Sequence, residues 1–119
     1  MRKSLPIPNE EQLQALAAGL SEVYRLLTEY LGDLNKSPDF RQCITVSKAQ
    51  LAEYLRHQPQ MAEQHISRPS DPKHHEFPVL ERMGSGKLRV YEVDRGEPWN
   101  VKEFDDLADA AAEYLMWGW

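Results

Sequence analysis

Seven apolar side chains, Leu13, Leu16, Leu20, Val23, Leu27, Tyr30 and Leu34, follow one another at alternating spacings of three and four. That spacing keeps residues on one face of an α-helix. It predicts a long amphipathic helix from about Glu10 to about Asn35, roughly 39 Å at ~1.5 Å per residue. Ala17, Tyr24 and Leu31 widen the stripe. A wide stripe suits a helix packed on its own domain better than the narrow seam of a coiled coil. Leu20 and Leu27 are therefore expected in the core. Asn9 reads as the N-cap, with Gln12 in capping-box position. Gly19 either weakens the helix or admits a close neighbour. Asn35-Lys36-Ser37-Pro38 ends it, and residues 1–8, closed by Pro6 and Pro8, read as a flexible arm.

A short strand is expected over Arg41–Val46, where Ile44, Thr45 and Val46 are β-branched. A second helix starts at Ser47. Gln50 completes a capping box, and Val46 and Leu51 occupy the two positions of a hydrophobic staple. Pro59 stops this helix, and Gln60–His65 can resume a helical turn. Residues 66–78 hold Pro69, Pro72, Pro78, His74 and His75 and read as a loop. Val79–Met83 and Lys87–Val93 then read as strands joined by Gly84-Ser85-Gly86. Asp94–Pro98 turns the chain into a third strand, Trp99–Phe104, and a last helix begins at Asp105 or Asp106. Leu107, Ala111, Tyr114 and Leu115 form its expected apolar face. Gly118 and Trp119 are placed to close it as a Schellman ending. The fold class is α+β: a long N-terminal helix and a second helix packed on a small antiparallel meander, ending in a C-terminal helix. At 119 residues the chain is expected to form one domain.

Charge is unevenly distributed. Residues 36–91 carry nine basic and six acidic side chains, whereas residues 92–119 carry two basic side chains, Arg95 and Lys102, against eight acidic ones. The net charge of −5 argues against general nucleic-acid binding and suits a basic partner. No apolar run approaches the ~20 residues of a membrane-spanning helix. The basic start Met1-Arg2-Lys3-Ser4 lacks the apolar stretch of a signal peptide, so a cytoplasmic protein is expected.

Residues that might carry chemistry have ordinary explanations. His57, His65, His74 and His75, with Glu76, match no standard metal-ligand spacing, and neither a metal site nor any other cofactor is expected. Cys43 lacks the flanking residues of a nucleophile and reads as a small buried hydrophobe. Gly84-Ser85-Gly86-Lys87 lacks phosphate-loop spacing. Ser47-Lys48-Ala49-Gln50-Leu51-Ala52 resembles the opening of a DNA-reading helix but has no basic face beside it. Asp105, Asp109 and Glu113 form an acidic ridge at i, i+4, i+8, and Trp99 and Trp117 lie in the same element. Acids beside aromatics are the composition of a protein-binding surface, and these five residues are the candidate contact site. A solvated helix face and core-filling tryptophans are the plain alternatives.

Val90-Tyr91-Glu92-Val93-Asp94-Arg95-Gly96, then Phe104-Asp105-Asp106 and Ala110-Ala111-Ala112-Glu113-Tyr114-Leu115, resembles the strand–turn–strand–helix ending of small bacterial immunity proteins. These neutralise a cognate toxin of polymorphic or contact-dependent systems. The similarity covers about a third of the chain. It implies a non-enzymatic, cytoplasmic inhibitor acting by one-to-one binding and points to no individual contact residue; the acidic charge suits a basic toxin domain as the partner. Two alternatives stay open: a regulatory or adaptor module that binds through the long helix, and a small metal-dependent enzyme built on the histidines.

Overall fold

The expected long helix is two helices. In the computed structural model, which describes residues 4–36, 39–67 and 78–117, α1 spans Asn9–Ala18 and α2 spans Leu20–Leu31. Gly19 separates them with φ 124°, a conformation that side-chain-bearing residues rarely adopt. Its N–H closes α1 by donating to the Ala15 carbonyl, and its own carbonyl accepts from Glu22 and Val23 to open α2. The exposed end of α1 is completed from a distance. His65 Nε2 lies 2.7 Å from the Ala17 carbonyl oxygen, and because a carbonyl only accepts, that nitrogen carries the proton.

Each half keeps its own helical stripe. Leu16 and Ala17 are buried in α1, and Val23, Leu26, Leu27 and Tyr30 in α2. The Tyr30 hydroxyl donates to the Glu11 carboxylate and ties the halves together. Leu27 is in the core as expected, but Leu20 is 41% exposed, because the break at Gly19 removes it from the common stripe.

Gln12 corrects two further expectations. It does not serve a capping box with Asn9: Pro8 is the N-cap and Asn9 the first helical residue. The Gln12 side chain is instead fully buried. Its amide donates to the Ile7 carbonyl at 2.8 Å and to Thr45 Oγ1 at 3.1 Å. Its Oε1 accepts from the N–H groups of Thr45 and Val46 at 2.7 and 3.2 Å. A ladder on one edge of a strand would have used one of those two consecutive N–H groups. The stretch expected as a strand is accordingly a 3₁₀ turn, Phe40–Cys43, running into an extended segment. The same side chain draws in the N-terminal arm, where Ile7 is buried.

α3 spans Lys48–Arg56, with the expected capping box: Ser47 Oγ accepts from Gln50 N–H, and Gln50 Oε1 accepts from Ser47 N–H. The staple residues Val46 and Leu51 are both buried. Pro59 opens the short α4, Pro59–Glu63. Most of the expected 66–78 loop, and the Gly118-Trp119 ending, lie outside the described residues.

The sheet is an antiparallel meander of β1 (Val79–Arg82), β2 (Leu88–Asp94) and β3 (Glu97–Phe104). The second turn is tighter than expected. Arg95 and Gly96 alone form it, at φ 52° and 80°. Positive φ at both central residues matches the twist of the flanking strands. Opposite Tyr91 the ladder is irregular, and Asn100 in β3 has φ 54°.

α5 spans Leu107–Leu115, with Asp106 as its N-cap accepting from Asp109 N–H. It packs against α3, α4, α1 and the sheet. Its deepest residues are Ala108, Ala110, Ala111 and Ala112, while Leu107, Tyr114 and Leu115 are only half-buried. The expected face was therefore too narrow. Small side chains on several sides let neighbouring backbones approach closely, and α5 is the central helix of the fold.

Leu27→Asp buries a lone carboxylate and is expected to cost about 4 kcal/mol or more. Leu20→Asp at the exposed edge of the break is expected to change stability by less than about 1 kcal/mol. Thermal melts of the two variants followed by circular dichroism check the pair, and equal losses would contradict the break at Gly19.

Candidate functional site

Most acids of the C-terminal third fall in two groups, and the groups differ in what they meet. The first group is the ridge on α5. Glu113 is not exposed as a solvated ridge would require; it is 8% accessible. Its two oxygens are shared between cations from different elements: Lys48 Nζ of α3 at 2.7 Å and Lys102 Nζ of β3 at 2.6 Å. Burial pushes the Glu113 carboxyl upward, but the hydrogen bonds from Lys102 and Lys48 outweigh it and hold the group below its ordinary value. One turn earlier, Arg56 Nη2 of α3 donates to Asp109 Oδ1 at 2.8 Å and to Asp106 Oδ2 at 2.9 Å. Asp105 has Lys87 Nζ at 3.6 Å. The cations come mostly from the segment that carries the basic excess. The asymmetry visible along the sequence is thus matched in part across the α3–α5 contact, at Asp106, Asp109 and Glu113.

The second group lies on the β2–β3 hairpin. Residues directly opposite in a ladder share a face, as do residues two apart on a strand. Glu92 stands opposite Trp99, and Asp94 opposite Glu97. Glu92, Asp94, Glu97 and Trp99 therefore point to one side of the sheet. Trp117, just past α5, reaches the same patch, where its Nε1 donates to Glu92 Oε1 at 3.0 Å. Lys102 Nζ lies 5.4 Å from the Trp117 ring centre, close enough for a cation–π contact. Trp99 is 61% exposed, so it is not a core-filling side chain, and Trp117 is partly buried. The five candidate contact residues are thus divided. Trp99 stands across the ladder from Glu92 and Trp117 is bonded to it, while Asp105, Asp109 and Glu113 are engaged by cations of their own chain.

Sequence reasoning missed Asp94 and Glu97. The signal was present in the two-residue turn, since a hairpin closed at Arg95-Gly96 places these acids across from each other. It was hidden by reading the turn as five residues long.

Of the four histidines, the structure describes two. His57 is exposed beside Glu53 at 3.3 Å, and His65 is bound to the Ala17 carbonyl. His74, His75 and Glu76 lie outside the described residues. Among the described residues, no three or more of His, Cys, Asp and Glu are grouped to hold a metal ion, and no helix is long and apolar enough to cross a membrane. No protein-family model, curated protein or solved structure matches the chain significantly.

Because the folded-state pKa of Glu113 is depressed, its ion pairs stabilise fully above the ordinary value of 4.5. That contribution is lost as pH falls through the lower folded-state value. Glu113→Gln is expected to cost about 1–2 kcal/mol at neutral pH, a charged hydrogen-bond loss discounted for the half-exposed lysines. The gap between wild type and variant should close toward acid. Urea denaturation across a pH series checks this, and a gap independent of pH would contradict the assignment.

Proposed function

We propose that this chain is a non-enzymatic, protein-binding inhibitor of the immunity type, which neutralises a toxin by one-to-one contact. The carrying observation is Trp99. A tryptophan exposed to 61% in a paired strand contributes little to its own core, and tryptophan is enriched among residues that dominate binding energy when a partner covers them. The patch around it is anionic, which favours fast capture of a basic protein and competes with phosphate at the site of a nucleic-acid-cleaving enzyme. The resemblance of the C-terminal third to immunity proteins supports the same reading and supplies the toxin as the class of partner.

Inhibition by binding needs a rigid surface, not a reactive group. The hairpin meets that need: its turn is closed by a two-residue loop, and its inner side chains Leu88 and Val90 are buried in the main core. The reading differs from the adaptor alternative in where binding energy is sought. That alternative relied on one continuous N-terminal helix, whereas α1 and α2 are separate helices that bury their stripes within the fold.

Two results are required together. A partner captured from the native host should bind with one-to-one stoichiometry, and its toxicity in a heterologous cell should be relieved by co-expression of this chain. Trp99→Ala should weaken that complex by about 30-fold, the effect of losing roughly 2 kcal/mol at a hot spot. A captured partner that is harmless, or whose activity the chain leaves intact, would overturn the inhibitory reading.

A further inference from the structure

We draw no further inference here: the strongest candidate, the outer edge of β3 with Trp99 and Val101 exposed along it, carries none, because nothing in the structure shows what covers it.

Discussion

Glu113 is the residue on which three parts of the fold converge. It sits on α5, nearly out of solvent, and holds one lysine from α3 and one from β3. A carboxylate this buried is costly unless both oxygens are engaged. Its two partners keep their ammonium groups half in water, so only one charge is strongly desolvated. The alanine surface of α5 makes this arrangement possible. Ala108, Ala111 and Ala112 bring α3 and the sheet close enough for lysines on both sides to reach the same carboxylate. Arg56 repeats the bridge at the start of the helix, joining α3 to Asp106 and Asp109.

This internal matching changes what the acidic C-terminal third presents to a partner. Charge held by Lys48, Arg56 and Lys102 contributes weakly to an external field. Among the described residues, the acids not so held include Asp94 and Glu97 at the end of the β2–β3 hairpin and Glu103 farther along β3. The helix acids are thus engaged in holding the fold together, and under the proposed reading it is the hairpin that would make contacts. The two tryptophans connect these parts, since Trp117 binds Glu92 directly across the ladder from Trp99.

The sequence disclosed most of the local structure and little of the long-range pairing. The Ser47–Gln50 capping box, the Pro59 stop, the meander order and the start of α5 were all legible, because each depends on residues within a few positions. Gly19 marked the right place in the stripe, but a periodicity in the sequence runs straight through a one-residue break and does not tell that α2 turns back so that Tyr30 reaches Glu11. Gln12 looked like a capping residue because its spacing from Asn9 is right. Its real partners, Thr45 and Val46, are more than thirty residues away. The acidic ridge was legible as a ridge, but nothing in its spacing told a solvated face from one that meets Lys48 and Arg56. That distinction depends on α3 lying beside α5, which is a tertiary fact.

The most direct test of this account is the protonation of Glu113 itself. Its side-chain carboxyl carbon can be followed by ¹³C NMR through an acid titration of the folded chain, with Lys48→Met as the comparison. The account predicts a midpoint below the ordinary carboxylate value in the wild type, moving upward when Lys48 is removed. A midpoint at or above the ordinary value, unchanged by Lys48→Met, would mean that Glu113 is not held between two lysines. It would also return the acidic ridge to the solvent.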